Sequence, residues 1–217
     1  MPFRRYILAS RSPRRLELLQ RVVHPDLIVV SPPPSAAEAG FDDCKNLEAI
    51  RQRLLVIAKH KADQVRLQLN ADEASLHERP RTLIISADTT VIASDLNNQP
   101  IVLGQPPESA EWRETVREWF INYYAGKTHV AATAVHVITP DGRAAERIVE
   151  TRVTFRDDIL RWLNWYLLTG EPTGKAGGYA LQGAGSVFVT QVEGSLSNVV
   201  GLPLEALLEL FAEVNLR

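Results

Sequence analysis

The sequence predicts one α/β domain over residues 1–217, built on a mixed sheet. Three observations predict it: a strand, turn and helix at the N-terminus, apolar runs of helical and of β-branched character that alternate down the chain, and the lack of any repeat or low-complexity linker to divide it.

Residues 6–9 are a short apolar run ended by "SRSP", after which "PRRLELLQRVV" sets Leu16, Leu19 and Val23 on one helical face. Ser12 suits the N-cap, and Pro13 suits the first helical position, where its missing N–H costs nothing. "DLIVV" predicts a second strand, stopped by Pro32, Pro33 and Pro34, which cannot donate to a sheet ladder. A loop follows. Residues 46–69 predict a helix, with Leu47, Ile50, Leu54, Ile57 and Val65 near the helical period. "TLIISADTTVIAS" reads as two β-branched runs interrupted by Asp88, and residues 109–124 predict a third helix, closed by Gly126. Strands at 128–138 and 145–155 flank the "PDG" turn at 140–142 as a hairpin. "RDDILRWLNWYLLTG" is a fourth helix with Gly170 at its C′ position, and Trp112, Trp119, Trp162 and Trp165, at helical spacings, read as core. The following stretch is dense in glycine, which suits tight turns and close approach of backbone to a ligand. "LPLEALLELFAEV" closes the chain as an amphipathic helix.

Lys and Arg number 24 against 26 Asp and Glu, a formal net charge of −2, so the bulk balance does not point to a nucleic-acid partner. No basic stripe interleaved with aromatics appears, which argues against an RNA-binding module. No stretch reads as a membrane span, and the apolar run after Arg4 and Arg5 is too short for a signal peptide. Cys44 is the single cysteine and the five histidines lack zinc-ligand spacing. A cytoplasmic enzyme or binding protein is expected.

Arg14 and Arg15 fall in the first turn of the first helix, where the unpaired N–H groups already carry about half a positive charge. Two readings are open: a phosphate gripped among guanidinium and backbone donors, or two solvated surface arginines. Asp88 sits between apolar runs where a lone carboxylate is costly, so it is either a metal ligand or general base at a strand end, or the cap of a turn between two strands. Lys61 reads as one face of an exposed helix. Lys175 has glycines on both sides that let a loop wrap a substrate, and Gln182 offers the donor and acceptor that suit the edge of a base.

Taken in order, "LASRSPRRLELL", "ADTTV", "GKTHVAATAV", "KAGGYALQG" and "NVVGLPL" resemble the Maf family of nucleoside triphosphate pyrophosphatases over nearly the whole chain. The resemblance implies an elongated mixed sheet flanked by helices, with two lobes around a cleft, like the inosine triphosphate pyrophosphatases. It implies hydrolysis of a nucleoside triphosphate to the monophosphate and pyrophosphate with a divalent cation, Mg²⁺ or Mn²⁺, and a homodimer. By position, Ser10, Arg14 and Arg15 match the family's phosphate-binding loop, Lys61 its "KA" lysine and Asp88 its catalytic aspartate. Arg14, Thr89 and Gln182 match the branch that prefers dTTP and UTP. Lys175 joins the cations around the leaving pyrophosphate, and Glu38 stands near the family's acidic positions as a metal ligand beside Asp88. One departure is "LGQP", where Gln105 replaces the family's usual lysine. The same resemblance suggests an alternative, a catalytically weak nucleotide-binding regulator of septum formation.

Overall fold

The computed structural model describes residues 3–34, 40–71 and 81–216, and among these seven strands join in one mixed sheet. Strand β1 (Arg5–Leu8) runs parallel to β2 (Ile28–Val30) on one side and to the start of β3 (Thr82–Ser94) on the other. Strand β4 (Pro100–Leu103) pairs antiparallel with the end of β3. The opposite edge of β3 is covered by β5 (Thr128–Ile138) over Ile84 to Ile92, followed by β6 (Ala144–Phe155) and β7 (Val189–Glu193), all antiparallel. The first and fourth strands therefore lie on the same side of β3. The register with β1 ends at Ile85 and that with β4 begins at Val91, so residues 86–90 are left without a neighbouring strand on that edge among the described residues.

Sequence periodicity suggested that Asp88 breaks this segment. Instead β3 runs unbroken through it, with Asp88 opposite Ala134 of β5. The carboxylate is accommodated by an ion pair to Lys61, 27 residues away, which no local pattern reveals. Asp88 is thus neither at a strand end nor in a turn.

Side chains alternate across β3. On one face Ile84 and Ile92 meet helix α2 (Leu47–Ala71) through Ile50, Leu54, Ala58, Ala62 and Val65. On the other face the core is in two parts. Leu83, Ile85 and Ala87 pack with α1 (Pro13–Leu19) and α6 (Leu204–Leu216), whereas Val91 and Ala93 meet an aromatic cluster that includes Phe120, Tyr124, Phe155, Tyr166 and Phe188. That cluster gathers α3 (Trp112–Trp119), the wide π-helical turn that continues it over Phe120–Tyr124, and α4 (Leu160–Leu168). The division falls at Thr89, and the two parts correspond to the two lobes expected from the sequence. A short helix α5 (Leu196–Val200) lies at the boundary.

Helix α4 buries Leu163, Tyr166 and Leu167, which turns Trp162 and Trp165 outward at 40% and 46% exposure; of the four tryptophans expected in the core, Trp112 is buried. Gly170, at φ +69°, occupies the predicted C′ position. Helix α1 ends at Leu19, short of the expected Val23.

Beneath the aromatic cluster, the His129 Nε2 lies 2.8 Å from the Tyr179 hydroxyl, while Nδ1 is buried without a hydrogen-bond partner among the described residues. Burial pushes the His129 pKa down from 6.5 to about 3. The unfolded chain takes up this proton below its ordinary pKa and the folded chain does not until about 3, so this contribution, present at neutral pH, is lost as pH falls through that window. Denaturant unfolding at a series of pH values is expected to show a loss of about 1.4 kcal/mol per unit within the window, with a shallower slope in His129→Gln.

Candidate active site

The gap on the edge of β3 opens into a cleft of about 810 Å³. Because it lies at an edge, side chains from both faces of the sheet reach it: Asp88 with Lys61 from the α2 side, and Thr89 with Arg15 from the side of α1 and α5. The position resembles the switch points of open α/β sheets, where diverging connections leave room for a ligand.

The "SRSPRR" segment leaves β1 and enters α1 on one wall of the cleft. The Ser12 side chain caps the helix by accepting from the Arg15 N–H at 3.4 Å, and Pro13 occupies the first turn, as the sequence predicted. Ser10 is buried, its hydroxyl accepting the Ser12 N–H at 3.2 Å. The Arg15 guanidinium donates in three directions: Nε to the Gly201 carbonyl at 2.9 Å, Nη2 to the Thr89 hydroxyl at 3.0 Å and Nη1 to the Ser10 hydroxyl at 3.3 Å. Thr89 continues to Thr133 at 3.0 Å, and the Thr133 hydroxyl donates to the Asn198 carbonyl at 3.4 Å. The fully buried Asn198 amide donates to the Ala131 carbonyl at 2.9 Å and the Thr151 hydroxyl at 3.0 Å. A polar chain therefore joins α1, β3, β5, β6 and α5 across the sheet.

On the other side, Lys61 Nζ stands 2.7 Å from Asp88 Oδ1, with both side chains largely buried at 13% and 11% exposure. Lys61 is thus turned inward rather than lying on an exposed helix face. Thr90 lies on the same face as Asp88 and lines the cleft, its hydroxyl buried and without a hydrogen-bond partner among the described residues.

The glycine-rich loop forms the facing wall with Lys175, Tyr179 and Gln182. Burial lowers the Lys175 pKa, and the Arg14 charge lowers it further. Two cations from opposite walls therefore repel across a space that an anion would neutralise. Gln182 is exposed to the cleft, as is Gln105 on the connection after β4. The predicted Ser10, Arg14, Arg15, Lys61, Asp88, Thr89, Lys175 and Gln182 all line this one cleft. Glu38, the proposed second metal ligand, lies outside the described residues.

Residues 5–214 match the family model described as Maf-like protein. The chain belongs to the Maf-like protein family. Members similar to it include the dTTP/UTP pyrophosphatase of Brucella abortus (strain 2308), 34% identical over 208 residues that cover 95% of this chain and 90% of that protein. The dTTP/UTP pyrophosphatase of Pyrococcus horikoshii is 35% identical over 204 residues, 94% of each. Among solved structures, a nucleoside-triphosphatase / dITP/XTP pyrophosphatase from Mycobacterium abscessus aligns with a TM-score of 0.43 at 14% identity, covering 70% of this chain and 75% of that one.

In this family member the cleft is also backed by residues that motif reading did not single out. Thr133 and Asn198 sit inside the quoted "GKTHVAATAV" and "NVVGLPL" segments, and their buried side chains, beside an apolar helix and strand, were the available signal. Glu171 lies outside every motif quoted.

Proposed function

We propose that this chain is a cytoplasmic nucleoside triphosphate pyrophosphatase that prefers dTTP and UTP and yields the monophosphate and pyrophosphate. The observation that carries the reading is that one cleft gathers Arg14, Lys175 and the Lys61–Asp88 ion pair. The names of the Brucella and Pyrococcus relatives support the substrate class. Among the described residues no helix is long and apolar enough to cross a membrane, and Cys44 is a free thiol, in keeping with a reducing compartment.

In this reading Arg14 and Lys175 hold the phosphate oxygens from opposite walls, where charge on the leaving pyrophosphate develops. Arg15 ties the start of α1 to β3 and to the Gly201 carbonyl, which holds the neighbouring Arg14 on the wall facing the same anion. Lys61 orients Asp88 through Oδ1, and Asp88 takes the proton from a water aligned with the α-phosphorus. The Asp88 carboxylate and the orphaned Thr90 hydroxyl offer oxygen atoms on one face, a donor set that fits a hard divalent ion sharing the substrate's phosphates. Mg²⁺ or Mn²⁺ held there, with Glu38 as a further ligand, would supply Lewis-acid neutralisation of the phosphates. The Gln182 amide reads the edge of uracil or thymine, and a mismatched base would leave that amide unsatisfied.

The test is product analysis with dTTP, UTP, CTP, GTP and ATP in the presence of Mg²⁺ or Mn²⁺. Pyrophosphate and monophosphate are expected chiefly from dTTP and UTP, and Gln182→Ala is expected to reduce that preference about tenfold. Release of orthophosphate, or nucleotide binding with no turnover, overturns the reading.

A further inference from the structure

Glu171 follows the C′ glycine of α4 and stands behind the glycine-rich wall of the cleft. Its carboxylate accepts two successive backbone N–H groups, from Ala184 to Oε2 at 2.6 Å and from Gly185 to Oε1 at 2.8 Å. These groups open the 3-10 turn Ala184–Phe188, whose N-cap residue, Gly183, has no side chain to cap it. The first N–H groups of such a turn have no partner within it, and burying them without one is costly. Glu171 is therefore a cap delivered from 13 residues away in sequence. The Tyr166 hydroxyl lies 3.1 Å from the same Oε1, and the Lys175 amine donates to the Glu171 carbonyl at 2.5 Å. A Cβ on Gly183 would fall 2.0 Å from Oε2, so glycine is what allows the carboxylate to enter; the backbone there, at φ −122°, does not itself require glycine.

One residue before this glycine stands Gln182, whose side chain makes no hydrogen bond among the described residues. Its direction is inherited from the backbone that Glu171 holds. We propose that Glu171 is the positioning residue for base recognition: its carboxylate caps the Ala184 turn and so sets the glycine-rich wall from which Gln182 faces the cleft, while its main-chain carbonyl receives the Lys175 amine on the same wall. The inference rests on the pyrophosphatase reading above. A recognition group pre-set by its supporting shell discriminates without first ordering a loop, whereas a loose one loses that difference.

The experiment compares the wild-type chain with Glu171→Gln, Gly183→Ala and the double variant. A glutamine of the same size has one acceptor and one donor, so one of the two N–H bonds is lost whichever way the amide turns. The expected result for Glu171→Gln is a KM for dTTP raised about tenfold, with a matching loss of preference for dTTP over CTP and kcat within about threefold. Amide exchange at residues 183–186 is expected to accelerate without nucleotide present. Gly183→Ala, which displaces the same carboxylate, is expected to reproduce both effects, and the double variant to add little to either. A purely structural role would lower the melting temperature and leave KM and base preference in place; that outcome, or unchanged exchange, overturns the proposal. Wild-type protein that fails to hydrolyse dTTP and UTP overturns the pyrophosphatase reading instead, a result distinct from an active wild type with an indifferent Glu171→Gln.

Discussion

Asp88→Asn is expected to lower kcat for dTTP by about 10³-fold, the loss associated with removing a positioned general base. The substitution conserves shape, and the asparagine carbonyl can still accept from Lys61, so the strand through residue 88 is expected to persist and far-UV circular dichroism to match wild type. In the absence of divalent cation, nucleotide affinity is expected to hold or rise, because a negative charge is removed from beside a triphosphate. Titration calorimetry with dTTP, together with single-turnover kinetics, separates the two effects. A variant that keeps turnover within about tenfold of wild type would remove Asp88 from the chemistry and leave it as the structural partner of Lys61. The alternative function, a nucleotide-binding regulator, predicts that the biological effect survives this substitution.

Much of the architecture was legible because it is local. Ser12 and Pro13 announce a helix start through capping chemistry, "PDG" announces the turn between β5 and β6, and Gly170 marks the end of α4 through its φ of +69°. The continuity of β3 was not legible, because the ion pair that makes a carboxylate tolerable in mid-strand comes from a helix 27 residues earlier. The same distance hid the inward turn of Lys61, which on its own helix is indistinguishable from an exposed lysine. Trp162 and Trp165 misled for a related reason: spacing identifies a shared side of α4, but only the packing of Leu163, Tyr166 and Leu167 decides which side is buried. Glu171 caps a turn that it does not adjoin, so no capping pattern includes it. The catalytic motifs thus survive as strings, while the groups that aim them are dispersed along the chain.

Arg15→Lys is expected to be nearly as damaging as the loss of charge altogether. If Arg15 acted only as a cation beside phosphate, lysine would replace it at modest cost, as is expected at Arg14. In the structure its guanidinium instead joins Gly201, Thr89 and Ser10 at 2.9, 3.0 and 3.3 Å, three acceptors in different directions that a single ammonium on a flexible stem cannot span. Losing two of these charge-assisted bonds is expected to destabilise the fold by about 2–4 kcal/mol, a fall of roughly 5–10 °C in melting temperature for a chain of this size. Because Thr89 leads on through Thr133 to Asn198, the loosening reaches the segment that closes the cleft, and kcat/KM is expected to fall about 10²-fold. Thermal melts and steady-state kinetics of Arg15→Lys beside Arg14→Lys provide the comparison: equal, mild effects at both positions would show that Arg15 contributes charge alone. Two cations at a helix start are unfavourable in isolation. Here one shares the cleft with Lys175, whose charge it disfavours, and the other ties the helix to the strand carrying Asp88, so the site is assembled by the same residue type that would bind its substrate.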